Sequence, residues 1–257
     1  MDGPLGFVVI GDFGSGAEAE YDVAAAIRAW SEGHPVDVLV TTGDNIYENG
    51  HPERFDQAWR RPYGWLDDQG VEVVASLGNH DVRTHRGQPV MQLLDMPWFW
   101  FSHRLGPVEF VVIDGTRADD ETQLRFMQTA LRESEAVWQV VVVHHPPYSC
   151  GEEHGSSEAV QELVPAMASN GADLVLSGHD HTYQRFPEIQ GVTFVVSGGG
   201  GHYLDDLGRC PEGTPQPEAA FADAHHFLFV RATEDALTIR AVRVPGSEVA
   251  DTARLTP

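Results

Sequence analysis

The sequence predicts a layered α/β fold, and three observations predict it. Short apolar runs of strand length alternate along the chain with amphipathic stretches of helical period. Several of the runs are apolar throughout, as strands buried on both faces are. Most of them end in a glycine or serine beside Asp, Asn or His, at the strand ends where α/β proteins bind ligands.

Leu5 to Ile10 reads as the first strand and ends in Gly11-Asp12-Phe13-Gly14, and Ala17 to Trp30 reads as a helix with Val23, Ile27 and Trp30 on its apolar side. Val36 to Val40 is the next strand, followed by Gly43-Asp44-Asn45-Ile46-Tyr47. A carboxylate at Asp44 can bridge two cations, and the phenol of Tyr47, as phenolate, is a hard anionic ligand suited to a trivalent metal. Glu48 to Gly70 is rich in Trp, Pro and Arg and predicts a helix near Glu53 to Arg60, then a loop at a pocket rim. Val71 to Ser76 is a strand that ends in Leu77-Gly78-Asn79-His80-Asp81. The Asn79 amide oxygen can bind a metal, His80 can touch what the metal binds, and Asp81 can orient an imidazole.

Arg83 to His103 carries Met91, Trp98, Phe99, Trp100 and Phe101 and reads as an insertion that packs aromatic mass on the domain. Val108 to Ile113 is a strand, Asp119 to Ser134 an amphipathic helix, and Val137 to Val143 a buried strand running out at His144-His145-Pro146. His144 holds the strand end, and His145 faces the other way. His154 follows in a Gly- and Glu-rich loop. Ser157 to Ser169 reads as a helix and Ala172 to Leu176 as a strand ending in Ser177-Gly178-His179-Asp180-His181, where two histidines at i and i+2 can reach different ions of a pair. Val192 to Val196 is a strand before the glycine run 198–201 and His202, and Arg209 to Phe221 is a Pro-rich loop. His226 to Ala232 and Leu237 to Val242 predict a hairpin at a sheet edge.

Composition bounds the function. The 257 residues suit one domain, 1–257. A formal charge of -23 repels nucleic acid and anionic membranes, so a phosphate-bearing ligand must be drawn to a local positive centre, which metal ions can supply. All 16 basic residues are Arg, which excludes a P-loop lysine, a Schiff-base lysine and the lysine of aspartyl-phosphate phosphatases. No apolar run approaches the ~20 residues of a membrane span, so the chain is expected to be soluble. Met1-Asp2-Gly3-Pro4 carries no targeting signal, so the chain is cytoplasmic as it stands, or exported if Met1 replaces a removed signal peptide. Cys150 and Cys210 are too few for a disulfide scaffold and not spaced as a zinc clip; both adjoin site segments, as one bridge or two thiols.

Five strand ends carry Asp12, Asp44 with Tyr47, Asn79 with His80, His144, and His179 with His181. Each alone is an ordinary turn or cap; together they predict a metal centre. The blocks Gly11-Asp12-Phe13-Gly14, Gly43-Asp44-Asn45-Ile46-Tyr47, Gly78-Asn79-His80-Asp81, Val143-His144-His145-Pro146 and Gly178-His179-Asp180-His181 resemble those of the calcineurin-like metallophosphoesterases, and Tyr47 resembles the purple acid phosphatase subgroup. Phe13 stands where many relatives carry Trp.

The resemblance implies a four-layer α/β/β/α sandwich of two mixed sheets flanked by helices, with a dinuclear centre at the strand ends. It implies Fe(III) at Asp12, Asp44, Tyr47 and His181, and Fe(II), Zn(II) or Mn(II) at Asp44, Asn79, His144 and His179, with Asp44 bridging. It implies that His80 binds phosphate and helps the leaving oxygen depart, and that His154 is a further pocket histidine. The expected reaction is hydrolysis of small phosphate monoesters to inorganic phosphate by a metal-bound hydroxide, with His80 or His154 as acid and Asp81 keeping His80 charged and aimed. Ferric and divalent ions against two carboxylates, a phenolate and a hydroxide leave about +1 to face the substrate. A phosphodiesterase or nucleotidase with a Mn or Fe/Mn centre and Tyr47 a bystander is the alternative; a non-catalytic metal- or phosphate-binding domain would need no acid, against which His80, Asp81 and His154 argue.

Overall fold

The computed structural model describes residues 3–257. Met1 and Asp2, on which the reading of the chain's start partly rests, lie outside the described residues. Among the described residues thirteen strands form two mixed sheets. The first comprises β1 (Leu5–Ile10), β2 (Val38–Thr41), β3 (Glu72–Ala75), β11 (His225–Ala232), β12 (Leu237–Val244) and β13 (Val249–Leu255), in the order β13-β12-β11-β1-β2-β3. The second comprises β4 (Phe101–Leu105), β5 (Val108–Val112), β6 (Trp138–Val142), β7 (Leu174–Ser177), β8 (Tyr183–Arg185), β9 (Thr193–Ser197) and β10 (Ala219–Phe221), in the order β10-β8-β9-β7-β6-β5-β4.

Burial on both faces makes the central strands apolar throughout. In β1, Phe7 and Val9 point between the sheets, where they join Val40, Val74, Phe110, Val140 and Leu176. Val8 and Ile10 point the other way, onto Val23 and Ile27 of the helix Glu18–Ser31. On the far side Val111, Val141 and Val175 meet Met127 and Leu131 of the helix Glu121–Glu133 and Met167 of the helix Val164–Ser169. The result is the four-layer α/β/β/α sandwich. Phe7 and Phe110 lock the sheets edge to face at 5.2 Å.

Several predicted elements are corrected. The helix expected near Glu53 to Arg60 is present within helical backbone that runs from Pro52 to Tyr63 and widens into a π-helix at Asp56–Arg60, and Trp65–Gln69 is helix where a loop was expected. Ser157 to Ser169 splits into Glu158–Gln161 and Val164–Ser169, with Pro165 opening the second. The closing hairpin is not at the edge, because β11 pairs with β1 and β13 adds a further strand outside β12. Strand β13 escapes a periodicity reading because its half-exposed residues give no apolar alternation.

Strands β1, β2 and β3 run parallel, as do β5, β6, β7 and β9 in the second sheet. Asp12, Asp44 and Asn79 therefore leave one sheet at the same end, and His144, His179 and His202 leave the other likewise. Among the described residues no helix is long and apolar enough to cross a membrane.

Glu20, in the first turn of the helix Glu18–Ser31, is fully buried. Its Oε2 accepts the Gly16 N–H at 2.5 Å, and burial pushes its pKa from the ordinary 4.5 up to about 9, against that bond and the nearby Arg54 charge. Because the folded pKa is the higher one, the protonated side chain's contribution to stability is whole below about pH 4.5 and is lost as pH rises through about 9. Glu20→Gln, which cannot ionise, should match the wild type in thermal melts near pH 5 and melt progressively higher than it toward pH 9; a constant offset between the two would place the titration elsewhere.

Candidate metal centre

Each carboxylate at the junction of the sheets divides its two oxygens between backbone and centre. Asp12 Oδ2 accepts the His179 N–H at 2.9 Å, and Asp44 Oδ1 accepts the His80 N–H at 2.9 Å. The other oxygens point inward. Asp12 Oδ1 lies 3.4 Å from Tyr47 Oη and 3.6 Å from His181 Nε2, and those two are 3.2 Å apart. Asp44 Oδ2 lies 3.5 Å from His144 Nε2, which is 2.9 Å from Asn79 Oδ1. The ring of His179 is 5.0 Å from that of His144.

The backbone adopts unusual conformations to achieve this. Asp12, Asp44 and His179 have φ of 57°, 52° and 72°, left-handed values that cost non-glycine residues about 1–3 kcal/mol each. A Cβ on Gly78 would sit 2.1 Å from Asp44 Oδ1, and one on Gly178 would sit 2.3 Å from Asp12 Oδ2. These glycines leave room for the carboxylates.

The donor set fits a cation. The Thr42 carbonyl oxygen accepts from His144 Nδ1 at 2.9 Å, so the proton of the neutral ring is on Nδ1 and the lone pair of Nε2 faces the Asn79 amide oxygen. Two acceptors at that separation repel unless a positive ion lies between them. Ligands each ~2.1 Å from a common ion and roughly at right angles are ~3 Å apart. One atom each of Asp12, Asp44 and His144 also lies within 4.8 Å of the others, with all three residues buried.

Electrostatics point the same way. Burial, then the charges of Asp12 and Asp81, hold Asp44 well above the usual carboxylate range, and burial followed by the charges of Asp12 and Asp44 raises Tyr47 well above its usual value. Burial raises Asp12 too, against its bond to His181. Burial and the neighbouring histidines hold His144 well below the ordinary imidazole value and push His179 down to about 2. For His181 burial works downward, but the bond and charge of Asp12 with the charge of Asp205 outweigh it and raise the value. A cation in this cluster would favour the ionised acids and the neutral imidazoles, which makes the set a candidate ligand shell.

Around this shell stand His80 and His154. His80 Nδ1 donates to the Glu48 carbonyl oxygen at 2.7 Å, and Nε2 accepts from Arg83 Nη2 at 3.3 Å. His154, exposed, stacks on His179 at 4.3 Å. The expectation for Asp81 is corrected: it does not hold the His80 ring. Its oxygens accept from the backbone N–H groups of Gly78 (2.9 Å), Asn45 (3.0 Å) and Ile46 (3.0 Å) and from Asn45 Nδ2 (2.8 Å), so it ties the Asp44 and Asn79 loops together. Nor is His80 kept charged, since burial lowers its pKa and the Arg83 charge adds to the effect.

Sequence reasoning missed four neighbours. His202 stacks on Tyr47 at 4.0 Å and 11°, Tyr203 lies 4.7 Å from His181, and Asp205 Oδ2 accepts the His181 N–H at 2.8 Å. Glu48 carboxylate oxygens lie 3.9 Å from His80 Nδ1 and 3.8 Å from His202 Nε2. The glycine run before His202 was the available signal, since it marks one more strand end. Cys150 and Cys210 are disulfide-bonded.

A family model described as calcineurin-like phosphoesterase matches residues 5–183. Among curated proteins, purple acid phosphatase 17 of Arabidopsis thaliana is 31% identical over 239 residues, 77% of this chain and 69% of that protein. Purple acid phosphatase 4 of the same plant is 27% identical over 282 residues, 96% of this chain and 83% of that one. Among solved structures, a purple acid phosphatase from yellow lupin seeds shares the fold with a TM-score of 0.85 at 19% identity, over 100% of this chain and 54% of that one.

Asp81→Ala would leave three backbone N–H groups and an amide without acceptors, at ~1–3 kcal/mol each before relaxation. The variant should lose ~3–5 kcal/mol in denaturant titration. Unchanged stability with a fall in turnover would return Asp81 to the role of aiming His80.

Proposed function

This chain belongs to the calcineurin-like phosphoesterases, as a metal-dependent phosphatase of the purple acid phosphatase kind, and on that premise we propose that it hydrolyses phosphate monoesters at a pair of cations held by Asp12, Asp44, Tyr47, Asn79, His144, His179 and His181. Its substrate is a phosphate ester and its product inorganic phosphate.

The observation that carries the reading is the division of the inward-facing atoms into two lobes. Asp12 Oδ1, Tyr47 Oη and His181 Nε2 lie 3.2–3.6 Å apart and form the first lobe. Asn79 Oδ1 and His144 Nε2, 2.9 Å apart, form the second with His179 beside them. Asp44 lies between, 3.5 Å from His144 Nε2, with its charge felt at Tyr47. A lobe with a carboxylate and a phenol suits Fe(III), and one with an amide oxygen and two imidazoles suits divalent Fe, Zn or Mn. When bound, the two ions supply Lewis-acid polarisation of the phosphoryl oxygens and a water acidic enough to attack phosphorus.

The residues around the shell do the rest. His80 Nε2 is 4.0 Å from Asp44 Oδ2, so an ester lying over Asp44 meets the ring edge. The His80 ring is pinned through Nδ1 by the Glu48 carbonyl, which aims Nε2 at the substrate side. His154 stacks on His179 and is open to solvent, so it can carry a proton from water to a departing alkoxide. The Tyr47 ring is flanked by His80 at 4.5 Å and His202 at 4.0 Å, which holds its oxygen toward Asp12 and His181. Cations held by these residues would make this end of the sandwich locally positive and so draw an anionic substrate to a chain of charge -23.

Asp44→Asn should lose bound metal by elemental analysis and activity together. His80→Ala should keep two metals while kcat falls about 10²- to 10⁴-fold; full turnover in that variant would remove His80 from the chemistry. The iron-loaded protein should absorb in the visible through its phenolate, and Tyr47→Phe should bleach it. A colourless iron-loaded wild type would make Tyr47 a bystander and favour a manganese centre.

A further inference from the structure

We propose that Arg83 is a specificity-determining residue that binds a second anionic group on the leaving side of the substrate, so that the enzyme favours phosphoanhydrides such as diphosphates over simple monoesters. This rests on the reading above, in which the scissile phosphate lies over Asp44 with His80 on its outer side.

The guanidinium sits one imidazole outward from the shell. Nη2 donates to His80 Nε2 at 3.3 Å, and Nη1 donates to the Glu48 carbonyl oxygen at 3.1 Å. The same carbonyl accepts from His80 Nδ1, so three groups form a closed ring of hydrogen bonds at the pocket mouth. Among the described residues the guanidinium makes no ion pair with a carboxylate; its partners there are a neutral carbonyl and a neutral ring. What sets it apart is its place: it is exposed and lies against His80, beside the site, in a chain of charge -23.

Its position is built rather than incidental. Arg83 closes the turn Asp81–Arg83, whose first residue is the buried carboxylate that ties down Gly78, Asn45 and Ile46. The chain leaves this turn through Thr84, whose hydroxyl donates to the Asn49 carbonyl at 2.5 Å, and then through His85 and Arg86 in left-handed conformations at φ 46° and 59°. Both sides of the turn are therefore fixed, and so is the origin of the guanidinium.

The ester meets His80 Nε2 on the side where Arg83 donates to it. Each guanidinium NH2 group carries two N–H bonds, and Nη2 spends one of them on His80, so the other can take a further acceptor while Nη1 keeps Glu48. A bare monoester whose leaving group is neutral offers it no anionic oxygen. A leaving group that is itself a phosphate presents anionic oxygens just beyond the scissile bond, where the planar donor fork can take them. The bond cleaved is still P–O, water supplies the hydroxyl, and the leaving phosphate departs with the electron pair and a proton.

AMP and ADP share a nucleoside and differ by the added anion. With the metal-loaded protein, kcat/KM for release of the terminal phosphate should be measured on both for the wild type, Arg83→Gln and Arg83→Lys. Losing a charge-assisted hydrogen bond of this kind predicts that the ADP-to-AMP ratio falls about 10- to 100-fold in Arg83→Gln, chiefly through KM for ADP, with part restored by Arg83→Lys. Equal losses on both substrates, seated in kcat, would make Arg83 a support for His80 alone and overturn the proposal, as would an unchanged ratio. A wild type active on both separates those outcomes from failure of the phosphatase reading, in which a metal-loaded wild type would cleave neither, and both would fall.

Discussion

Two buried carboxylates facing one another across the junction of two sheets are the constraint on which the rest of this structure depends. Asp12 and Asp44 are fully or almost fully buried and raise each other's cost of ionisation, so the fold carries a local debt that hydrogen bonding alone does not settle. Each uses one oxygen on a backbone N–H of a loop from elsewhere in the chain, His179 for Asp12 and His80 for Asp44. Those bonds make the loops mutually dependent. The Asp12 loop is held by the loop after β7, and the Asp44 loop by the loop after β3, so the candidate ligand set is assembled by the same contacts that join the strand ends.

The layered packing explains why the set can be so tight. Parallel strands in both sheets deliver their carboxyl ends to one side, and a core of interleaved Val, Leu and Phe between the sheets fixes their spacing. Left-handed backbone at Asp12, Asp44 and His179 then turns each side chain back over its own strand end. At these three positions the strain is sustained because the preceding strands are held by ladders on both sides.

Much of this was legible in the sequence, because continuous apolar strands and terminal Gly-Asp, Asn-His and His-x-His steps are local patterns. The layered class, the seven inward-facing residues and the positions of His80 and His154 follow from them together with the family resemblance, and the structure brings those side chains to one end of the sandwich. What was illegible is what depends on distance across the chain. Asp81 adjoins His80 in sequence and suggests an orienting partner, yet its acceptors are spent on Asn45, Ile46 and Gly78, which no spacing rule reveals. His202, Asp205 and Glu48 belong to loops whose composition is that of any surface turn. Strands β4, β8, β10 and β13 are short or half-exposed and lack the apolar alternation that marks an element.

The loop that carries His154 has no sheet of its own, and its order has to come from elsewhere. The Cys150–Cys210 disulfide closes a span of 60 residues, and the Gly151–Leu207 bridge, with the Glu152 N–H on the Asp206 carbonyl at 2.9 Å and the Gly208 N–H on the Cys150 carbonyl at 2.7 Å, zips the two segments together. Asp180, inside the Gly178-His179-Asp180-His181 block, then accepts the backbone N–H groups of His154 and Gly155. The partner segment holds Asp205, which anchors the His181 N–H. One stapled pair of loops thus sets both a shell histidine and the imidazole that stacks on its neighbour. Because His179 and His181 flank Asp180, any shift of this unit moves the pocket histidine and the shell together, so their relative geometry survives motion of the rim.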